Sequence, residues 1–454
     1  MIQLDALGPN GPFRARNRVS LTDVSGQQVG EMSLVPPLFI DRGLAALRKA
    51  GQLPADDRVA ALARAGQAFA EATIADLAPQ QYHYAVSRLS GLPVTVVRAA
   101  AEGMARAARS AYHAAMSGMP AGAAADWRDP RTQRGSAVWI RRGDVLGIHS
   151  AGNHPAVHAL WLQALALGFK VAVRPSQREP LTASRLVTAL REAGFPSDQV
   201  ILLPTDHAGA DRLIDGADLA VVYGGDEVMR KYAASTKVLP QGPGRSKVLL
   251  TRDVDWSACL DTLADSISGQ GGVACLNATA VFVEGDPGPV AESIAERLSA
   301  LPSLPPEDEK AVLPVQPRAA AAALGEYLLR RRGDAKPWLG GDCIADDLGD
   351  GSSVLRPAVF QVSSQDAEQT RIELPFPCLW VAPWSRADGL RALRDSLALT
   401  AFTRDQNLIS RLIEDPSIGN VYIGDHATVQ PWEGLPHNGY LSEFLMRAKS
   451  VVRN

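Results

Sequence analysis

Cys275 stands in a run of small residues, Ser268-Gly-Gln-Gly-Gly-Val-Ala-Cys-Leu-Asn-Ala278, directly before an apolar stretch that ends at Val283. A thiolate is the nucleophilic form of cysteine. Small neighbours let a carbonyl carbon reach the sulfur, and loop exposure lets the thiol ionise. Taken alone, a single cysteine reads as a small buried hydrophobe. Three further segments change its weight: His149-Ser-Ala-Gly-Asn-His-Pro155, Lys170-Val-Ala-Val-Arg-Pro-Ser-Gln177, and Glu373-Leu-Pro-Phe-Pro377, the last beginning 98 residues after Cys275. Each sits at the end of an apolar run or just before one. His149, His154 and His158 lack metal-ligand spacing on one helix face, and Cys259, Cys275, Cys343 and Cys378 form no CxxC pair, so no metal is expected. His154 flanks the loop and is a candidate proton carrier; Asn153, before Pro155, reads on its own as a turn residue.

The elements around these residues follow from periodicity. Residues 36–118 read as helices, with apolar positions three and four apart in Ala55–Ala75 and Thr95–Met116. Val19–Val29 reads as a short strand pair around Gly26. From about 140 the texture is strand and helix in alternation: strands Val145–Ile148, Val171–Val173, Val200–Leu203 and Leu219–Tyr223, and helices Ala156–Leu167, Thr182–Ala193 and Asp211–Ile214. That is the pattern of βαβ units on a doubly wound parallel sheet, here without a G-x-G-x-x-G fingerprint. Beyond 240 a second α/β block is expected, with strands near Val248–Leu250, Ala280–Val283, Val354–Val362, Leu379–Ala382 and Val421–Ile423, a helix over Ala319–Arg332, and loops at Leu301–Pro306 and Gly340–Ser352. Tyr82, His83 and Tyr84 read as helix surface or interface, and Trp161 as core.

In order and spacing these segments resemble the aldehyde dehydrogenase superfamily along essentially the whole chain. Gly152-Asn-His-Pro155 is similar to the family's W-N-F-P, Arg174-Pro-Ser-Gln177 to K-P-S-E, and Val222-Tyr-Gly-Gly-Asp-Glu227 to F-T-G-S-T-E. Glu373-Leu-Pro-Phe-Pro377 is similar to E-I-F-G-P; Thr400–Asp405 and Gly419–Ile423 also match in order. The resemblance implies Cys275 as nucleophile and Asn153 as a donor, with the Cys275 backbone N–H, to the developing oxyanion. It places the cofactor at the strand ends. Arg174 and Gln177 would meet the adenosine ribose, Ser150, Ser176 and Arg178 would flank it, Gly224 and Gly225 would face the pyrophosphate, and Glu373 would bind the nicotinamide ribose. A neutral Gln177 between Arg174 and Arg178 does not repel a 2′-phosphate, so NADP(H) is expected over NAD(H).

Two departures from the family bear on the reaction. Hydrolytic members carry a glutamate in E-L-G-G-K that activates water; the matching stretch Pro240-Gln-Gly-Pro-Gly-Arg-Ser-Lys247 puts Gln241 there, and a carboxamide is no general base. Three extra residues also separate Gly269-Gln270 from Cys275. Both features, with Ala274-Cys-Leu-Asn277, resemble the acylating aldehyde dehydrogenase and acyl-CoA reductase branch. The implied activity is NAD(P)H-dependent reduction of an acyl thioester to an aldehyde, or the reverse acylating oxidation, with coenzyme A or a pantetheine-bearing acyl carrier protein as partner. The alternatives are oxidation of an aldehyde to a carboxylic acid and a catalytically silent scaffold.

The expected architecture is an α/β fold in three parts: an NADP(H)-binding domain from 1–118 and 140–240, a catalytic domain from 241–425, and a small β oligomerisation arm joining a hairpin near 119–139 to 426–454, giving a homodimer or homotetramer. Composition agrees with a folded enzyme of this size. The 454 residues are 46% hydrophobic and 21% charged, with a formal net charge of −3. That balance argues against nucleic-acid or membrane-surface binding, and Met1-Ile-Gln-Leu-Asp5 has no signal-peptide build. A cytoplasmic location is expected.

Overall fold

A computed structural model describes residues 1–430 and 434–453. Four N-terminal helices, α1 (Pro37–Lys49), α2 (Ala55–Glu71), α3 (Pro79–Ser90) and α4 (Val94–Met116), occupy the region whose periodicity called for helices. Val97, Ala101, Met104, Ala108 and Ala111 repeat at three- and four-residue steps and bury one face of α4. α2 lies close enough to it that a Cβ on Gly66 would come within 2.7 Å of the Ala108 methyl. Arg18–Thr22 and Gln28–Ser33 form the expected antiparallel pair around Gly26.

A seven-stranded sheet runs in the order Val238–Gln241, Leu219–Tyr223, Val145–His149, Lys170–Arg174, Val200–Leu202, Ala6–Gly8, Gly11–Phe13. The first five strands are parallel; the last two add antiparallel. From Val145–His149 the chain winds outward through Lys170–Arg174 and Val200–Leu202, then returns to the other side at Leu219–Tyr223. The strand order therefore reverses between Val145–His149 and Leu219–Tyr223. In a doubly wound sheet that switch leaves a crevice at the carboxyl ends of the strands, where ligands bind. His149, Ser150, Arg174, Tyr223 and Gly224 all stand at those ends.

The second seven-stranded sheet has the order Lys336–Leu339, Ala358–Gln361, Cys378–Trp384, Ala278–Glu284, Ser246–Leu250, Ser396–Phe402, Ile418–Ile423, parallel except at the first pair. Its central strands are buried on both faces, as parallel sheets require.

Several expectations need correction. Ala156–Leu167 is not one helix but a 3-10 turn, Pro155–His158, and a five-residue helix, Leu162–Ala166. Trp161 is buried there and donates its Nε1–H to His158 Nδ1, and the backbone bonds of the stretch close over three residues. Val354–Val362 divides at Pro357, which has no N–H for a ladder. Ser352–Leu355 pairs in a small separate sheet, and Ala358–Gln361 joins the large one. Ala345–Asp347 is a strand inside the stretch expected to be a loop. The 119–139 segment holds no hairpin: Ala123–Ala124 runs parallel to Ser136–Arg141, whose other edge takes the C-terminal strand Met446–Val451 antiparallel. Tyr82 is core, not surface, and its hydroxyl meets Thr182 Oγ1 at 2.9 Å. No helix among the described residues is long and apolar enough to cross a membrane.

Candidate active site

The Cys275 loop is built by side-chain clamps. Asn277 accepts the Ala274 N–H at 2.8 Å and gives its amide hydrogens to the carbonyls of Ser266, Ile267 and Gly269. A buried carboxamide that satisfies four backbone groups holds the loop in one conformation. Gln270 sits at φ 56°, and Gly272, at φ 67°, passes so near the Pro377 ring that a Cβ would lie 2.5 Å from it. Ser246 Oγ donates to the Cys275 carbonyl at 3.0 Å, and Gly244 lies flat against that carbonyl. The Cys275 loop is thus fastened to Ser246–Leu250, a strand of its own sheet.

The half-buried Cys275 is brought beside two of the residues singled out with it. Asn153, in the loop after Val145–His149, donates its side-chain N–H to the Val273 carbonyl at 3.0 Å. A carboxamide has two N–H donors, so one is left for an oxygen at the sulfur. Glu373 accepts the Arg245 N–H at 2.7 Å. Asn153, Val273, Ala274 and Glu373 line one cavity of about 210 Å³, with Leu374 and Phe376 on its wall.

Electrostatics keep the resting thiol protonated. Burial, with the Glu373 carboxylate adding to it, pushes Cys275 up to about 12, although the backbone N–H groups of Cys275 and Leu276 favour the thiolate. Burial likewise raises Glu373, against the pull of Arg245. The Tyr223 phenol donates to the Val157 carbonyl at 3.1 Å; burial, then Cys275 itself, raises its pKa. Gln241 is buried, in register with Tyr223, and its backbone carbonyl accepts the Gly224 N–H.

A residue outside the sequence reading lies within hydrogen-bond distance of the sulfur. His437 Nε2 is 3.5 Å from Cys275 Sγ. Asn420, on Ile418–Ile423, gives its amide to the carbonyls of Leu397 and His437 and so pins the loop that carries the imidazole. That loop falls in the segment assigned to the oligomerisation arm, so the assignment of 426–454 as a single arm does not describe it. The only local signal is a histidine inside Pro436-His-Asn-Gly439, a turn composition with nothing to connect it to Cys275. His154, the candidate proton carrier, is fully engaged: Nδ1 accepts the Ala156 N–H and Nε2 meets Gln270 Oε1 at 3.1 Å. Burial pulls it down to about 4.

The cofactor candidates line the crevice, but their side chains are employed unevenly. Arg174 is buried, with Nε toward the Thr205 carbonyl and a guanidinium nitrogen 3.1 Å from His149 Nε2. Arg178 gives one N–H to the Ser90 carbonyl at 2.8 Å, and its backbone N–H goes to Ser176 Oγ. Gln177 is exposed. Ser150 Oγ and His149 Nδ1 are buried without a protein partner, and a Cβ on Gly225 would meet open space. Unpaired polar atoms beside an open backbone suit a polar ligand. Gly225 caps a seven-residue helix, Asp226–Tyr232, and Asp226 forms a bidentate pair with Arg245 at 2.6 and 2.7 Å.

A model of the aldehyde dehydrogenase family matches residues 39–448. Solved structures share the fold at low identity. A gamma-glutamyl-gamma-aminobutyraldehyde dehydrogenase from Burkholderia cenocepacia is 19% identical, with a TM-score of 0.82 over 99% of this chain and 96% of that one. A 3,6-anhydro-L-galactose dehydrogenase is 18% identical, with a TM-score of 0.84 and complete coverage of both chains. Aldehyde dehydrogenase 21 from Physcomitrella patens, solved with its reaction product succinate, is 18% identical, with a TM-score of 0.82 over 99% of this chain and 98% of that one.

Proposed function

Since the chain belongs to the aldehyde dehydrogenase family, we propose that it is an NAD(P)-dependent oxidoreductase that interconverts an aldehyde and an acyl group held on Cys275, exchanging that group with a thiol such as coenzyme A. The observation that carries the first part is that Asn153 and Glu373, from two distant segments, line one cavity with Val273 and Ala274, the residues that lead into Cys275, and that the Glu373 carboxylate is electrostatically coupled to the Cys275 thiol. Cys275 attacks the carbonyl carbon, and the second N–H of Asn153, whose first is held by Val273, supports a role as donor to the oxygen that becomes negative; one such donor is worth about 3 kcal/mol of barrier. A nicotinamide cofactor, when bound, takes or gives the hydride. Ser150, Gln177 and Gly225 would hold it in the crevice, and Glu373 would orient its nicotinamide ribose. The neutral Gln177 supports acceptance of NADP as well as NAD.

The thiol acceptor rests on Gln241. With a carboxamide where hydrolytic relatives place their glutamate, deacylation by water lacks its usual base, whereas an incoming thiol is more acidic than water and a better nucleophile. An acyl carrier protein would present the same pantetheine thiol. A second reading, oxidation to the free acid, is favoured by His437, an imidazole that could activate water at the same carbon. The aldehyde dehydrogenase bound to succinate, an acid product, is the comparison that points this way.

The test pairs NADPH with a panel of acyl-CoAs, and aldehydes with NAD or NADP in the presence and absence of coenzyme A. Thioester-dependent NADPH oxidation that vanishes in Cys275→Ala is the expected result. Efficient acid formation without coenzyme A selects the second reading. Undiminished turnover in Cys275→Ala overturns the covalent route.

A further inference from the structure

We propose that His437 is the catalytic base that takes the proton of the Cys275 thiol and later returns one. This rests on the reading of Cys275 as nucleophile and adds the group that the Gln241 position lacks.

A protonated, desolvated thiol is a poor nucleophile and needs an acceptor for its proton at the moment of attack. Among the described residues, the hydrogen bonds of the other candidates are made away from the sulfur. Gln241 has no titratable pair. His154 has both ring nitrogens in hydrogen bonds. His149 Nε2 faces Arg174, and His158 Nδ1 accepts from Trp161. Tyr223 points its proton at Val157, and the Lys247 amine is bound to the Arg394 carbonyl and Ser396 Oγ. Glu373 is a carboxylate turned to the Arg245 backbone N–H. His437 alone in this set presents a ring nitrogen to the sulfur, at 3.5 Å, a length suited to a sulfur hydrogen bond. Glu373 and Tyr223 are the titratable groups coupled to the sulfur, and burial alone lowers His437. The imidazole is therefore neutral near pH 7, the state a base requires.

The proton accounting closes. As the S–C bond forms, the carbonyl π pair moves to oxygen and the thiol proton passes to Nε2. That proton leaves Nε2 for solvent as the adduct becomes the acyl-enzyme; when an incoming thiol or water takes the acyl group, its own proton goes to the emptied Nε2, the S–C bond breaks with its pair returning to sulfur, and the proton passes from Nε2 to the restored thiol. No outside oxidant or reductant enters the attack or the deacylation.

The test needs no cofactor: iodoacetamide alkylation of the full chain, followed by mass spectrometry of the Cys275 peptide, between pH 5 and 10. The pair behaves as a thiol with a built-in base, so the wild-type rate should be flat across neutral pH to about pH 9 and fall only in acid, below the ordinary imidazole range, as His437 takes up a proton. In His437→Ala and His437→Gln the rate at pH 7 should drop by ~100-fold and then climb with hydroxide concentration, without a plateau. Added imidazole should restore His437→Ala in part. A wild-type rate that climbs with hydroxide concentration and shows no plateau, or variants that keep the wild-type profile, overturns the proposal. The first outcome needs no variant, so it does not depend on how either substitution folds. If no aldehyde or thioester is turned over but the alkylation profile holds, the reaction assignment fails while the base stands. Turnover with an unchanged profile in the variants has the opposite meaning.

Discussion

Lys247 shows how sharply a single buried group can link this fold to pH. It follows Ser246 on the strand beneath the nucleophile loop, is 1% exposed, and gives its amine protons to the Arg394 carbonyl and Ser396 Oγ. Burial pulls it down to about 7, with Asp395 pulling the other way. In the unfolded chain the amine stays protonated to about pH 10.4. Between those limits the unfolded state binds more protons than the folded one, so this group makes stability rise with pH across the window. Below about pH 7 both states are charged and the burial penalty is constant. Lys247→Met removes the linkage. Urea unfolding should show the wild type gaining on the variant by roughly 3–5 kcal/mol between pH 7 and 10; parallel curves for the two proteins would refute it. The same physics raises the Cys275 thiol and keeps it neutral at rest, and a neutral thiol is spared oxidation.

The nucleophile loop depends on one close backbone approach between elements. Gly244 leads into Ser246–Leu250, and a Cβ there would stand 1.8 Å from the Cys275 carbonyl oxygen and 3.0 Å from its Cβ. Gly244→Ala must displace the loop by about an ångström, and misplacement on that scale costs on the order of 100-fold in rate. Turnover should fall by that factor with far-UV circular dichroism unchanged; wild-type kcat in the variant would show that the loop adapts. Such approaches are invisible in a sequence, where Gly244 is one glycine among many. Cys275, Asn153 and Glu373 were legible because they come at family-like spacings at strand ends, and the parallel core because its runs are β-branched and short. His437 was not legible, since only tertiary folding carries a turn 162 residues further on back to the sulfur. The division at Pro357 was missed for a different reason: Val354–Val362 is mostly apolar on both sides of Arg356-Pro357, and apolarity does not say which sheet a strand joins. The tight turns at 155–164 escaped because His158 and Trp161 bond through side chains, which periodicity does not record.

At the scale of the molecule, the catalytic crevice works only if the N-terminal helices and the second sheet keep their relative placement. Two backbone bonds tie the helices to the loop and small three-stranded sheet beside it, Val94 N–H to the Pro306 carbonyl at 2.7 Å and Val315 N–H to the Gly91 carbonyl at 2.8 Å. Arg88, at the end of α3, reinforces this seam: it pairs with Asp23 at 2.8 Å and reaches Glu307 and Asp350 at 3.4 Å. Asp23 is 5% exposed; burial opposes its ionisation, but the Ser25 hydroxyl and the Arg88 guanidinium overcome that and hold it below the usual carboxylate range. Its folded pKa is therefore below its unfolded one, so its contribution is complete above about pH 4 and disappears as pH falls through the folded value. Arg88→Met leaves a nearly buried carboxylate with hydroxyl and backbone partners only, at a cost of about 1–3 kcal/mol after allowing for the partial exposure of the arginine. Urea denaturation at pH 7 should report that loss. Repeated at pH 3, the gap between wild type and variant should shrink, because a protonated Asp23 no longer needs the guanidinium. A gap that persists undiminished in acid would mean that Arg88 acts through packing of its aliphatic stem and not through the ion pair at the seam.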